Sequence, residues 1–540
     1  MDHRRVRRQK ELRSHCPASA GIFSLQKRRT APRLKCGVFF LCCFTAAACA
    51  RTQPTSIAIK DGLIIGTPEG TVAGTEQGVV QIARTLSLEG LTQLSPDGRA
   101  LPRLAEKWGW ENDFLRLRVI LQKGVTFHDG TPLDSKLAVE VLRQAIARPA
   151  NRALYPSLNY VRSVQEGGEL QVVIDLSEPS AFLPEDLEIP LEIGTKNVGT
   201  GAFRIVQSAA PEIVLQRFDH YRGGSPSIQR VVIRPFETLR TAWTSLLRGD
   251  VDMVTDVPPE AVEFIRNDDV QVISFERRYQ YLVAFNSHRA PFLSPTVRRA
   301  LNAAVDRDRL VKNVLQEHGI PATGPLWPKY WAYDSSLPAY NLDQALVTSL
   351  LDNAGFRLPK ASNQSDGPPA RLRFNCILPA GFSILERLAL ELQKQLYNVG
   401  VDMEFQSLPV NEYNARVQSG QFDAAMLDSI SGPTPGRAYI FWRSGRRFKG
   451  LNVFGYENPE AERLFEVLRT SGANDTAVRS ATRGLQRVFL EDPPALFLAW
   501  NQRARAVRRD FQVPADAGRD PILTLWRWTP NTSTQLSSVP

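Results

Sequence analysis

Residues 114–145 constrain the fold more strongly than any other part of the sequence. Apolar and polar residues alternate over 115–122, which is the pattern of a strand with one face in a core. A Lys-Gly turn leads to a second apolar run at 125–127, which predicts a second strand. Asp134 then occupies a helix N-cap position, and apolar residues recur at helical spacing until Pro149. The segment predicts two strands, a turn and a helix.

The sequence KGVTFHDGTPL at 123–133 resembles the extracytoplasmic solute-binding proteins of peptide and nickel ABC importers, bacterial family 5. Similar matches follow the family order at 86–108, 197–203, 281–315 and 478–508. The resemblance implies an α/β fold of the periplasmic-binding-protein type II class, with two main lobes joined by a hinge and an extra subdomain. It also implies a receptor that captures its solute by lobe closure and delivers it to a membrane permease.

The length of 540 residues exceeds a single ordinary core, so we expect several domains. The expected divisions are a leader at 1–49, a discontinuous first lobe at 50–85, 196–285 and 495–528, an extra subdomain at 86–195, a second lobe at 286–494 and a disordered tail at 529–540.

Local patterns predict further elements in these regions. Short strands are predicted at 218–221 and 231–233, and two helices are predicted in 297–315 with Asp306 capping the second. A strand, a helix and a strand over 372–405 predict parallel pairing of the two strands.

The net charge of +10 comes from the N-terminal segment. Residues 1–49 contain eleven of the 66 Lys and Arg residues and two of the 56 acidic residues, so the remaining chain is nearly neutral. The charge therefore gives no support to nucleic-acid binding. A basic run followed by an apolar stretch at 37–48 is typical of a secretory signal and is short for a bilayer span.

Cys49 follows three alanines, which resembles the processing site of a bacterial lipoprotein. The resemblance implies that Cys49 is the lipid anchor, while ordinary cleavage near Ala48 or Ala50 is the alternative. We expect export to the periplasm or to the outer face of the cell membrane. Beyond Cys49 the mature chain contains only Cys376, so we expect no intrachain disulfide and a buried thiol.

The expected ligand site includes the loop near Pro433. In peptide-binding relatives an Asp four residues before a Pro captures the ligand ammonium group. Ser429 occupies that position here and Asp428 precedes it, so a one-residue shift would be needed to place Asp428 there. The predicted ligand contacts are Asp428, Ser429, Tyr413, Arg437, Glu69 and Trp327.

Peptides or similar small polar solutes are the expected ligands, and a nickel chelate is the alternative within the same class. The expected partners are ABC permease and ATPase subunits, with a monomeric receptor and no cofactor, metal or nucleic acid. Signatures of nucleotide-binding, serine-hydrolase and zinc-protease sites are absent from the sequence. A secreted hydrolase using His128 and Asp129, and a surface receptor without a transport partner, are the competing hypotheses. We interpret the His-Asp pair as part of a turn.

Overall fold

The computed structural model describes residues 62–68, 78–194, 197–208, 211–359, 370–444, 452–471, 474–516 and 518–531. The predicted leader, Cys49 and Glu69 lie outside these residues, as does 532–540 of the predicted tail.

The strands are numbered in chain order. They are β1 (Gly62–Pro68), β2 (Thr92–Leu94), β3 (Ala100–Pro102), β4 (Ala105–Glu111), β5 (Arg116–Leu121), β6 (Val161–Gly168), β7 (Gln171–Leu176), β8 (Phe203–Gln207), β9 (Ile213–Arg217), β10 (Arg230–Phe236), β11 (Met253–Val257), β12 (Val270–Phe285), β13 (Gly319–Pro321), β14 (Leu372–Pro379), β15 (Val401–Leu408), β16 (Ala424–Ile430), β17 (Ala495–Arg508), β18 (Phe511–Gln512) and β19 (Thr529–Pro530).

The α-helices are numbered in the same way. They are α1 (Val79–Ser87), α2 (Ser135–Ala147), α3 (Pro149–Leu154), α4 (Leu183–Asp186), α5 (Leu239–Arg248), α6 (Val262–Ile265), α7 (Pro295–Ala303), α8 (Arg307–Asn313), α9 (Gln344–Asn353), α10 (Ser383–Tyr397), α11 (Val410–Ser419), α12 (Pro435–Trp442), α13 (Pro459–Thr470) and α14 (Asp475–Glu491). Short 3₁₀ helices occur at Pro156–Asn159, Pro259–Ala261 and Pro521–Arg527.

In the described chain, one eleven-stranded sheet has the order β15-β14-β16-β12-β17-β11-β1-β10-β9-β8, with β13 paired to β17. We call β1 and β8–β11 the first half of this sheet and β14–β16 the second half. The long strands β12 and β17 are antiparallel and run through both halves. Their register shifts between Glu276 and Gln280, where three residues of β12 lie opposite a single residue of β17.

Helices cover both faces of the sheet. Helices α7–α10 pack on one face of the second half, and apolar residues of α11–α14 pack on the other. Residues 495–500 of β17 are at most 1% exposed because both faces of this strand are covered. A separate four-stranded sheet, in the order β4-β5-β7-β6, packs against α2 and has a hydrophobic core of its own.

Several local predictions are confirmed. The first strand and the helix of the opening segment are β5 and α2, and the Asp134 carboxylate accepts a hydrogen bond from the Leu137 N–H at 2.8 Å. Asp306 caps α8 in the same way through the Arg309 N–H at 2.9 Å. Strands β14 and β15 are parallel and flank α10, as their apolar patterns predict.

Two predicted strands are wrong. Residues 125–127 form a tight turn with 131–133 and contribute only one isolated bridge, between Thr126 and Pro132. Residues 218–221 turn instead of extending, with the Tyr221 N–H donating to the Phe218 carbonyl at 3.0 Å. In both places the apolar side chains are buried although their backbone belongs to a loop. The apolar pattern of such a loop resembles that of a strand, so the sequence pattern alone does not distinguish the two.

His128 connects the two motifs at 123–133 and 197–203. Its backbone N–H donates to the Gly199 carbonyl at 2.9 Å, while its ring contacts the Gly201 carbonyl through Nε2 at 2.9 Å and the Gly199 N–H through Nδ1 at 3.3 Å. A ring that accepts at Nδ1 and donates at Nε2 is neutral. Burial lowers the pKa of His128 from 6.5 in agreement with this assignment.

The glycines of the second motif have a packing role. A Cβ added at Gly199 would lie 2.2 Å from the Ser87 carbonyl oxygen, and one at Gly201 would lie 2.6 Å from the Leu86 carbonyl oxygen. Both glycines therefore allow this segment to lie directly against the end of α1. These packing contacts account for both glycines, so the Gly-x-Gly pattern does not require a bound nucleotide.

We expect His128→Ala to lower the free energy of unfolding by about 1–3 kcal/mol, because it leaves buried backbone groups unpaired. The wild-type chain should also lose stability as the pH falls below 6.5, since the unfolded chain takes up a proton that the folded His128 resists. This component should be absent from the variant. Urea unfolding between pH 5 and 8 measures both effects.

The exposed His220 provides the control, and His220→Ala should unfold like the wild type. Equal stability of His128→Ala and the wild type at pH 7 would contradict the proposed structural role of His128.

Candidate functional site

The two halves of the sheet point the carboxyl ends of their strands toward each other. Strand β11 runs along β17 from Val507 toward Ala504, and β16 runs along β12 from Phe285 toward Tyr279. The first half contains parallel pairs of β1 with β10 and β11, and the second half contains parallel pairs of β14 with β15 and β16. Ligands of α/β sheets bind beyond the carboxyl ends of such strands, so the candidate site lies where the halves converge.

Charged residues from four strands meet at this place. The Asp428 Oδ2 atom lies 3.4 Å from Arg277 Nη1 and accepts from the Asn501 side chain at 3.3 Å. Arg503 contacts Asp256 at 2.8 Å and lies 3.9 Å from Asp428. The cluster therefore joins β11, β12, β16 and β17 through charge-assisted contacts.

A further ion pair crosses from one half to the other. Glu260, which follows β11, lies 3.0 Å from Arg387 of α10. With Asp256, Asp428, Arg277 and Arg503, this pair completes a set of three carboxylates and three guanidiniums. We call these six residues the crossing cluster. Its formal net charge is zero.

Three buried atoms of the crossing cluster have no hydrogen-bond partner among the described residues. They are Asp428 Oδ1, Arg387 Nε and Arg503 Nε. The Asp428 side chain is 22% exposed and that of Arg503 is 17% exposed, so both are accessible from one side. The cluster therefore offers one free acceptor and two free donors, which are complementary to a small solute that carries both kinds of group.

The cluster also keeps Arg503 charged. Burial acts to lower the pKa of Arg503, but the adjacent Asp256, with smaller contributions from groups including Asp428, raises it above its usual value. The guanidinium of Arg277 stacks on the Tyr279 ring, with 3.8 Å between its central carbon and the ring centroid. These contacts hold the arginines in place before any ligand arrives.

Asp428 and Ser429 do not share a face of the sheet. The register between β12 and β16 is continuous, with Asp428 opposite Tyr281 and Ser429 opposite Gln280. The pairing contains no register shift that would bring Asp428 to the face occupied by Ser429. Asp428 therefore belongs to the crossing cluster, and Ser429 lies on the opposite face of the sheet. Ser429 is 7% exposed.

Three other predicted contacts, Tyr413, Trp327 and Arg437, make their described contacts outside the crossing cluster. The hydroxyl of the buried Tyr413 donates to the Met426 carbonyl at 3.0 Å within an apolar core. The Trp327 indole N–H donates to the Pro96 carbonyl at 3.1 Å and packs edge-on against Trp500. Arg437 contacts the Leu154 carbonyl and the Tyr155 ring. Their roles as ligand contacts stay predictions.

Sequence analysis missed Arg277, Arg387, Arg503, Asp256 and Glu260. One signal was present, because Arg503 closely follows the apolar run 495–500 in a strand that is buried over most of its length. A charge in such a strand needs a partner, and this requirement marks it as a candidate site residue.

The sequence between residues 99 and 449 matches the model of the bacterial extracellular solute-binding proteins, family 5 Middle. The chain belongs to this family. The resemblance predicted from the KGVTFHDGTPL motif is therefore confirmed, and the family is one of solute-binding receptors.

Individual relatives agree with this assignment. The glutathione-binding protein GsiB of Pectobacterium atrosepticum is 25% identical over 438 residues, which are 76% of this chain and 82% of the relative. The oligopeptide-binding protein AppA of Bacillus subtilis, solved with a nonapeptide, superposes with a TM-score of 0.70 at 20% identity over 88% of this chain and 100% of AppA.

NikZ of Campylobacter jejuni, solved with Ni(L-His), superposes with a TM-score of 0.72 at 21% identity over 87% of this chain and 99% of NikZ. The predicted α/β fold of the periplasmic-binding-protein type II class is confirmed by these superpositions. No helix in the described ranges is long and apolar enough to cross a bilayer. Within the same ranges, no group of three or more His, Cys, Asp or Glu side chains is arranged to hold a metal ion.

This family member also contains a group of buried and partly buried acids around Arg437. Glu188 lies 3.1 Å from Arg278 of β12 and 4.0 Å from Arg437. Asp186 is 6% exposed and accepts from the Ser157 N–H at 2.8 Å. Burial raises the pKa of Asp186 to about 7, although the adjacent Arg437 opposes the shift. Burial also raises the pKa of Glu185 well above its usual value.

The raised pKa of Asp186 gives a signed prediction. Between its ordinary value of 3.8 and about 7, folded Asp186 retains a proton that the unfolded chain releases, so the free energy of unfolding falls as the pH rises through this window. This titration should lower the free energy of unfolding by roughly 2–4 kcal/mol across the window, and Asp186→Asn should abolish that decrease. Chemical unfolding of both proteins at pH 4.5, 6 and 8 measures the difference.

Asp268→Asn, at an exposed position, should follow the wild-type pH profile and serves as the control. If Asp186→Asn has the same pH profile as the wild type, Asp186 does not titrate in this window.

Proposed function

We propose that this chain is the receptor of an ABC importer and that it closes over a peptide or a similar small polar solute at the crossing cluster. One observation supports this site above others. Asp428 Oδ1 is buried between the two halves of the sheet and accepts no hydrogen bond from any described residue, although the other carboxylate oxygen is fully engaged. A solute N–H group or ammonium would supply the missing donor.

The relatives favour a peptide over other solutes. GsiB is named for glutathione, and AppA was solved with a nonapeptide. NikZ was solved with Ni(L-His), so a nickel chelate is the competing solute class. The neutral balance of the crossing cluster suits a solute that carries both an acceptor and a donor.

In the proposed mechanism, the two halves are the lobes and β12 with β17 is the hinge. The first lobe comprises residues 50–85, 196–285 and 495–528, the second comprises 286–494, and the subdomain comprises 86–195. Closure around the solute adds contacts from both lobes, and these contacts shift the equilibrium toward the closed form. The register shift between β12 and β17 after Glu276 is the place where we expect the strands to bend.

The remaining parts of the proposal concern location and partners. The chain is exported by its N-terminal signal and held at the outer face of the cell membrane through a lipid on Cys49. It acts as a monomer that delivers solute to permease and ATPase subunits, and it is not an enzyme. The use of His128 in positioning backbone groups supports this view over the hydrolase hypothesis.

Mass spectrometry of the protein purified under native conditions tests the solute class. A bound mass that dissociates as a peptide supports the proposal. A nickel-containing mass, or a thermal shift with nickel and histidine but none with peptides, would assign the site to the competing class.

We expect Asp428→Asn to weaken binding of a peptide by about 2–5 kcal/mol, because it removes the charge that holds Arg277, Arg503 and the solute donor together. Calorimetric titration with glutathione and with trialanine measures the effect, and circular dichroism establishes that the variant is folded. Asp423→Asn is the matched control, since Asp423 lies before the other end of β16 and pairs with Arg289 at 3.1 Å. Equal peptide affinity in Asp428→Asn and the wild type would remove Asp428 from the site.

A further inference from the structure

Glu260 and Arg387 form a contact between the two halves that does not belong to either core. Glu260 lies in the 3₁₀ helix Pro259–Ala261 of the first half, and Arg387 lies in α10 of the second half. Their side chains are 40% and 35% exposed, and a distance of 3.0 Å joins Glu260 Oε2 to Arg387 Nη2. The pair is therefore partly exposed where the two halves meet.

The contact uses only part of what Arg387 offers. A guanidinium binds a carboxylate best through two parallel N–H groups, which engage both carboxylate oxygens. Glu260 engages Nη2, whereas the buried Nε of Arg387 has no acceptor in the described chain. The buried Nε–H group of Arg387 is therefore available to donate to another carboxylate.

Arg503 presents a second such donor nearby. Its Nη1 donates to Asp256, but its buried Nε likewise meets no acceptor among the residues described. The charge of Glu260 also acts on Arg503, where it helps to raise the pKa of the guanidinium. Glu260 therefore lies within electrostatic reach of both arginines whose Nε atoms are unpaired.

We propose that Glu260 holds the place of a solute carboxylate on Arg387 and that a solute with a free carboxylate displaces it. This inference rests on the proposed function, because it concerns the same solute site. The entering carboxylate accepts from Nε and Nη2 of Arg387, and Glu260 returns to water. The exchange replaces one negative charge by another, so the crossing cluster stays neutral.

Other solute groups fit this place less well. A neutral amide in place of Glu260 would leave the guanidinium without a counter-charge, and a cation would be repelled by it. The carboxylate could belong to the C-terminus of a peptide or to an acidic side chain, which share the same chemistry. The choice of probe distinguishes the C-terminal carboxylate from the side-chain carboxylate.

The test compares three probes by calorimetry on the full chain: trialanine, trialanine amide, and an amidated tripeptide with a central Asp. The wild type should bind trialanine about tenfold more tightly than its amide, as expected for one charge-assisted pair. If the amidated Asp peptide recovers this affinity, the side chain is a sufficient source. If it does not, the C-terminus is the required source.

Two variants test the role of each partner. Arg387→Lys retains the charge but not the two parallel donors, so it should lose most of the preference for the acid over the amide. Glu260→Gln removes the competitor, so it should strengthen trialanine binding several-fold and increase the preference for trialanine over its amide. Glu263→Gln is the control, because Glu263 lies on the adjacent helix α6 and pairs with Arg266 at the surface.

The failures are distinguishable. Equal wild-type affinity for trialanine, its amide and the amidated Asp peptide, or weaker acid binding in Glu260→Gln, would overturn the displacement of Glu260 while leaving the receptor function in place. No binding of any probe to the wild type would overturn the peptide receptor proposal itself.

Discussion

The pairing of β12 with β17 is the constraint on which the rest of the structure depends. These two strands are the members of the sheet that run through both halves, and their apolar residues contribute to the cores on either side of it. The same strands carry Arg277 and Arg503 into the crossing cluster and place the Asn501 amide against Asp428. One strand pair thus joins the halves mechanically and also places the charges between them.

The crossing cluster illustrates why buried charges have to be assembled in sets. Each guanidinium of the set lies within 4 Å of a carboxylate, which offsets the cost of removing these groups from water. The pairing is incomplete at Asp428 Oδ1, Arg387 Nε and Arg503 Nε. Nine buried side-chain atoms of the described residues lack a hydrogen-bond partner, and three of them belong to this one cluster. We interpret these three atoms as contacts for the proposed solute.

The local elements of this fold were predictable because their causes are local. The Asp134 cap, the Asp306 cap and the parallel pair around α10 depend on residues that are near one another in sequence. The crossing cluster was not predictable in this way. Asp256 and Arg503 are 247 positions apart, and their contact exists only through the register of β11 with β17. Family resemblance identified Asp428 as a candidate, whereas the residues that contact it are evident only from the sheet order.

The neutrality of the crossing cluster has a consequence for how a solute is found. A cleft with a strong excess of one charge attracts opposite charges over about a Debye length and speeds their arrival. Three positive and three negative groups packed together produce a field that falls off over a much shorter distance than that of a single charge. This cluster should therefore distinguish between solutes only once they are in contact with it. The association rate of the solute should depend little on ionic strength.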